Sequence, residues 1–359
     1  MRVLHLPQSA ASQISILVRA LRLNGIEARG IVRGNSRYES SEGICDFQIR
    51  GRRKNLVHRL MQRASWWAAL IAGVRWADVI HWHFAWGTGY RDLDLKLISA
   101  LDKAAIVEFW GSDIRIPEIA SKSNPYFSTI PDADAIYRVS LQESRMRQEK
   151  FARSGFSCLV PGPELLDYIQ TDLFPRQYAS VAALFPSEYI PSFPDPNHPR
   201  PVIAHMPSNK TVKGTDFVMS AIESLKTRYD FDFRLIHNVG QDKALNMIRD
   251  CDIMLDQFIV GSYGMVSLEA MALGKPVLCY LKAPILPRLP IDFPVVNANQ
   301  ENLADVLEEF IVDGQRRHDI GRLGRAYIEK YHDAHVIAGE LIEIYQDLLD
   351  NRVGLHGNR

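Results

Sequence analysis

Two stretches of the chain concentrate residue types that hold anions. The first is Ser208-Asn209-Lys210-Thr211-Val212-Lys213-Gly214. It sets two ammonium groups beside a glycine turn, a combination suited to a diphosphate. The second runs from Asp256 through Gly261, Ser262, Tyr263, Gly264, Met265 and Val266 to Glu269. A glycine turn ahead of good helix formers brings the unpaired N–H groups of a helix N-terminus to one point, where the helix dipole adds to their pull on phosphate. Such turns are frequent in α/β proteins, so the pattern alone leaves phosphate binding open. Two smaller groups stand elsewhere. Asp113, in Gly111-Ser112-Asp113, either meets a ligand or caps the next turn. His83, in His81-Trp82-His83, either turns a hydrogen-bonding edge toward a cleft or is a structural histidine. The two histidines do not have the spacing of a zinc site without further ligands, and no Glu or Cys stands near them in sequence.

These residues need a scaffold of alternating strands and helices. Apolar runs at Val3–Leu6, Ala28–Val32, Asp78–His83, Ala105–Trp110, Ala133–Ser140 and Ser157–Val160 read as strands. Ile14, Leu17, Val18 and Leu21, and then 141–154, supply helices between them. Alternation of this kind implies a parallel sheet covered on both faces. Prolines crowd the segment from Pro161 to Pro201, which suits a domain boundary near residue 190. Strands restart at Val202–His205, Phe233–His237, Ile253–Leu255 and Val277–Leu281. Leu268-Glu269-Ala270-Met271-Ala272 is a helix that Gly274 stops and Pro276 keeps from resuming. Amphipathic helices over 303–311, 320–331 and 336–349 complete the chain.

The wording of the second stretch is more specific than its pattern. Tyr263-Gly264 with Leu268-Glu269-Ala270-Met271-Ala272-Leu273-Gly274-Lys275-Pro276-Val277 resembles the donor-site motif of retaining glycosyltransferases of the GT-B fold, in the large family four. Lys213-Gly214 matches that family's Lys-Gly pair on the donor diphosphate, and Gly111-Ser112-Asp113 resembles its His-Gly-Ser-Asp segment, with Trp110 in the His place. The resemblance implies two Rossmann-like domains with parallel sheets facing across a cleft: 1–190 on the acceptor side, 191–335 binding a nucleotide sugar, and a C-terminal helix, 336–359, crossing back to the N-terminal domain. It implies that Lys213, Gly214 and the N–H groups around Gly264, Met265 and Val266 hold the diphosphate and that Glu269 binds the ribose hydroxyls. It also makes Asp113 an acceptor-side or sugar-contacting group, while His83 is an acceptor-side hydrogen bonder only where its edge faces the cleft. The family's first glutamate falls on Gly261 and its arginine on Ser208. Asp256 and Lys210 are the candidates to take over part of that work. Ser9-Ala10-Ala11 stands where the family has a glycine pair. The implied reaction moves a sugar from a nucleotide-sugar donor to a hydroxyl acceptor with retention, in polysaccharide or glycolipid synthesis. It needs no cofactor and no metal. A binding scaffold without turnover, or another GT-B chemistry such as epimerisation of a sugar nucleotide, is the alternative.

The totals agree with an enzyme of small substrates. The 359 residues suffice for two domains, and 42 basic residues balance 42 acidic ones, which argues against nucleic acid as the main partner. Cys45, Cys158, Cys251 and Cys279 are scattered, with Cys251 and Cys279 read as buried thiols, as in a reducing compartment. The N-terminus enters a strand without a signal-peptide core, and the longest apolar stretch, 64–74, is about half a membrane span. The expectation is therefore a cytoplasmic protein. Arg50, Arg52, Arg53, Lys54, Arg59 and Arg63 precede Trp66, Trp67, Leu70 and Ile71 at helical spacing. The segment 50–71 reads either as a peripheral contact with the inner face of an anionic membrane, where a lipid-linked or glycan acceptor would be met, or as a core helix after a solvated basic turn.

Overall fold

A computed structural model describes residues 1–9, 11–33, 45–49, 55–85, 89–129 and 139–356. Ala10, Arg50, Arg52, Arg53, Lys54, Trp86 and most of the strand expected over 133–140 lie outside them. The chain divides into two compact units. One comprises Met1–Ile116, Val139–Ala183 and Ala334–Arg359, and the other Pro117–Arg138 and Leu184–Asp333. The division at Ala183–Leu184 falls inside the proline-rich segment. The part 117–138, which the sequence reading left in the first domain, groups with the second unit. A physical reason is Asn124, whose buried amide donates to Ile259 O at 2.7 Å and Val260 O at 3.0 Å.

The first unit is built on seven parallel strands: β1 (Arg2–Pro7), β2 (Glu27–Arg33), β3 (Phe47–Ile49), β4 (Val79–His83), β5 (Ala104–Glu108), β6 (Ser157–Val160) and β7 (Gln177–Ala179), in the order β3-β2-β1-β4-β5-β6-β7. The order reverses direction between β1 and β4. β4 and β5 are buried along their whole length, as a sheet covered on both faces requires. The helix Gln13–Leu23 and the C-terminal helix Ala334–His356 pack on this unit. The latter turns Ile337, Ala338, Leu341, Tyr345 and Leu348 inward at helical spacing. In the helix Leu56–Trp76, Trp66 and Leu70 are core residues, and Arg33 lies over the Trp66 ring at 4.0 Å. They follow the core-helix reading and do not form a surface.

The second unit holds five parallel strands: β8 (Val202–His205), β9 (Asp232–Leu235), β10 (Ile253–Leu255), β11 (Val277–Cys279) and β12 (Val296–Asn297), in the order β12-β11-β10-β8-β9. Here the order reverses between β8 and β10. Ile203, Val218, Ile222, Leu225, Leu255, Leu278, Leu307 and Phe310 belong to its core. Buried His205 ties the switch point together, with Nδ1 on Leu255 O at 2.9 Å and Nε2 on Thr215 Oγ1 at 3.0 Å. Burial lowers its pKa to about 4, so it acts as a neutral strut.

Candidate functional site

Open α/β sheets bind ligands at the carboxyl ends of the strands where their order reverses. In the second unit that point lies beyond β8 and β10, and both anion-binding stretches start there. β8 leads to Lys210–Lys213, a single helical turn that Asn209 caps by accepting from Val212 N at 3.0 Å. Gly214 closes the turn in the left-handed region at φ +74°, and a Cβ there would meet Phe258 Cβ at 3.2 Å. β10 leads to Asp256, a loop, and the helix Met265–Ala272. That helix ends as its sequence implies. Gly274 takes φ +77°, with Gly274 N on Met271 O and Lys275 N on Ala270 O, both at 2.9 Å.

Asp256 is the hub of the site. It is 1% exposed. Its Oδ1 takes Lys213 Nζ at 2.7 Å, and its Oδ2 takes Gly264 N at 2.9 Å and Ser267 Oγ at 2.6 Å. Burial pushes this carboxyl up, but Lys213, Ser267 and the Gly264 amide outweigh it and hold it below the usual range. One carboxylate thus fastens the Lys213 turn to the N-terminus of the next helix. The ammonium comes so close that a Cβ on Gly264 would lie 3.1 Å from Lys213 Nζ. The N–H groups of Met265 and Val266, in the first turn, have no intrahelical acceptor. A cation and a helix N-terminus therefore converge, the combination that binds a diphosphate.

Glu269 follows on this helix. Its half-buried carboxyl is pushed up to about 7 by burial, with only a long contact from Gln241 Nε2 at 3.5 Å on the other side of the balance. Gln241 Oε1 is buried without a partner. Tyr263 has its ring 5.0 Å from Phe293 and edge-on to His332, and burial raises its hydroxyl to about 12. It is a member of an aromatic cluster. Ser208 and Lys210 are exposed.

The loop also explains why Gly261 departs from the glutamate of the resembling family. Gly261 has φ +80°, and a Cβ there would lie 3.0 Å from both Asn124 Nδ2 and Lys282 Cβ. Its carbonyl accepts Lys282 N at 3.0 Å. A side chain at this position is strained by the left-handed backbone and needs Asn124 and Lys282 to give way by a few tenths of an ångström. Asn124, Gln241, Ser267 and Lys282 were missed by sequence reasoning, because their partners are distant in the chain or lack a motif. Asp256 was found by its position only, and its bonds to Lys213 and Ser267 were not foreseen.

In the first unit, Asp113 sits after β5 in the short helix Gly111–Ile114 and is fully buried. Its Oδ2 accepts Ala85 N at 2.7 Å, its Oδ1 has no partner, and burial raises it to about 8. It anchors the start of the loop after β4. Beside it, Trp110 stacks on Phe84 with ring centroids 5.7 Å apart. His83 corrects an expectation. It does not turn an edge outward: it is fully buried, with Nε2 on His5 Nδ1 at 3.0 Å and Nδ1 on Glu108 Oε2 at 2.5 Å. The register explains the misreading, since His83 pairs with Glu108 across β4 and β5. The sequence neighbours of His83 hold no Glu, but the sheet supplies one.

Residues 225–327 match the family model described as glycosyl transferases group 1. The whole chain has the GT-B fold. Sucrose-phosphate synthase from Thermosynechococcus elongatus superposes with a TM-score of 0.65 at 13% identity, covering 98% of this chain and 100% of that one. The Anabaena protein HepE, solved in complex with UDP, gives a TM-score of 0.58 at 14% identity, covering 97% and 100%. WaaG, a glycosyltransferase involved in lipopolysaccharide biosynthesis, gives 0.60 at 13% identity, covering 96% and 99%. No curated protein sequence matches significantly. The family segment includes Asp256, Gly264 and Glu269, while Lys213 lies ahead of it. Among the described residues, no helix is long and apolar enough to cross a membrane.

Proposed function

We propose that the protein transfers a sugar from a nucleotide-sugar donor to a hydroxyl acceptor with retention and without a metal in the transfer step. The carrying observation is the convergence of Lys213 Nζ and the helix N-terminus at Gly264 on the buried carboxylate of Asp256. In this reading the diphosphate lies against the Met265 and Val266 amides and Lys213, with Lys210 as an added cation. Asp256 keeps Lys213 and the helix start in place and does not touch the sugar. The acceptor approaches the face that the diphosphate leaves, and a leaving phosphate oxygen takes its proton. The preorganised donors then stabilise the departing charge. Glu269 receives the ribose hydroxyls. Asp113 holds Ala85, just past β4, on the acceptor side, and His83 is removed from that role by its burial.

UDP-type donors come first in the test, because the structurally similar HepE is described in complex with UDP. Melting temperature would be recorded against UDP-, GDP-, ADP- and TDP-sugars, followed by release of labelled sugar to water or acceptor. A donor that stabilises the protein and is turned over supports the reading. A donor that binds and is never consumed supports the scaffold alternative, which Gly261 favours because the family's first glutamate is absent and a side chain there is strained.

We also propose a peripheral membrane contact in polysaccharide or glycolipid synthesis, through the first turns of the helix Leu56–Trp76. Leu56, Val57, Leu60 and Met61 are 54–67% exposed, with Arg59 and Arg63 beside them. An apolar patch next to cations suits an anionic lipid surface. Co-sedimentation with phosphatidylglycerol vesicles, reduced in Leu60→Ser/Met61→Ser, is the expected result. Equal binding to neutral vesicles, or none to either, would remove this surface from the reading.

A further inference from the structure

The sheet face that buries His83 carries a closed ring of polar side chains. His5 pairs with His81 across β1 and β4, and His83 with Glu108 across β4 and β5, so all four project from one face. Tyr345 of the helix Ala334–His356 comes down on them. His5, His81, His83 and Tyr345 are 0% exposed and Glu108 4%. Five contacts close the ring. His5 Nδ1 meets His83 Nε2 at 3.0 Å, His83 Nδ1 meets Glu108 Oε2 at 2.5 Å, and His81 Nε2 meets the same oxygen at 3.5 Å. His81 Nδ1 meets Tyr345 Oη at 2.6 Å, and Tyr345 Oη meets His5 Nε2 at 3.5 Å.

Two features of this ring point to a cation. First, Glu108 Oε2 lies 2.5 Å from His83 Nδ1 and 3.5 Å from His81 Nε2, so the second nitrogen of each ring, His83 Nε2 and His81 Nδ1, stands on the side away from the carboxylate. A carboxylate behind a histidine is the usual second layer of a metal site. Second, His5, His81 and His83 each offer a ligand atom within 4.8 Å of the others. A tetrahedral ion with nitrogen ligands at about 2.0–2.1 Å would separate them by about 3.3 Å, a small adjustment.

We propose that His5, His81 and His83 bind a divalent ion of the zinc type, with Glu108 orienting two of the rings and Tyr345 as a neighbouring oxygen donor. Imidazole suits zinc and its borderline neighbours and not magnesium or calcium. Buried on all sides, the ion is structural: it fastens β1, β4 and the C-terminal helix of the first unit. It takes no part in the transfer step and stands whether or not the proposed function does.

The test is the metal content of the full chain, purified from zinc-supplemented medium and gel-filtered. About one zinc per chain is expected, falling to less than about a fifth in His5→Gln and His83→Gln. A strong chelator should lower the melting temperature of the wild type, and zinc should restore it. Cobalt in its place should give visible d–d bands. Wild-type protein without zinc, whose melting is unmoved by chelator, zinc or cobalt, would overturn the proposal and leave the hydrogen-bonded ring as the resident state. So would zinc retained in the histidine variants. If those variants fail to fold, depletion and restoration in the wild type decide the matter.

Discussion

With Glu269 receiving the ribose hydroxyls as proposed, donor binding is expected to depend on pH in one direction. Burial holds its carboxyl at about 7, against 4.5 for a free glutamate, so half of the molecules carry it neutral near pH 7. Ribose hydroxyls donate to a carboxylate, so the donor selects the ionised form and affinity falls as pH falls. With a free-state pKa of about 7 and binding to the ionised form only, the apparent Kd is the intrinsic Kd multiplied by 1 + 10^(7 − pH), which gives about a tenfold loss between pH 8 and pH 6. UDP-glucose is the suitable probe, because its diphosphate diester does not titrate in that range. Titration calorimetry at pH 6, 7 and 8, in two buffers of different ionisation enthalpy, would read the affinity and the proton released together. Glu269→Gln should flatten the profile and weaken binding at pH 8 by about tenfold, the difference between a charged and a neutral hydrogen bond. A flat wild-type profile, tighter binding at low pH, or the same slope in Glu269→Gln would refute the role of this carboxyl.

Lys213→Ala should weaken the donor by roughly tenfold to a hundredfold and also destabilise the second unit by about 3–5 kcal/mol, since it strands the buried Asp256. Lys213→Ala/Asp256→Asn should recover much of that stability in thermal melts but not the donor affinity. Gly261→Glu should lower stability by about 1–3 kcal/mol and leave turnover no higher, because its backbone is left-handed and Asn124 and Lys282 fill the space. The folded pKa of Asp113, about 8, lies above its unfolded value of 3.8. Its contribution is therefore complete below about pH 4 and is lost as pH rises through about 8. Melting temperatures of wild type and Asp113→Asn measured from pH 5 to pH 8 should diverge, with wild type losing ground toward the alkaline end.

Much of the scaffold was legible because its signals are local. β1, β2, β4, β6, β8 and β10 stand within a residue or so of the apolar runs, and Gly274 ends its helix through a motif written in four consecutive residues. Short edge strands were not legible. Phe47–Ile49 and Gln177–Ala179 have three residues each, the latter amid prolines, and neither alternates long enough to read. The site divided in the same way. Lys213, Gly264 and Glu269 lie in recognisable local wording. Asn124, which braces the loop 135 residues away at Ile259, has no such wording.

The departures at Gly261 and His83 have one physical origin: both positions are decided by what lies across from them. At Gly261 the left-handed φ strains any side chain, and Asn124 and Lys282 stand 3.0 Å from where a Cβ would sit. The charge that the family's glutamate would have brought is not moved to Asp256, which is already bonded to Lys213, Gly264 and Ser267. Three bonds on one buried carboxylate make it a rigid support, and a support of this kind is what a preorganised anion site needs. If the protein turns over a donor, the sugar hydroxyls that the missing glutamate would have met must therefore be held by other groups. Gln241, half-buried with its Oε1 unpartnered beside Glu269, is the first place to look. Gln241→Ala should then raise KM for the donor sugar more than for the bare nucleotide as inhibitor. An equal effect on both would assign Gln241 to the ribose side with Glu269 instead.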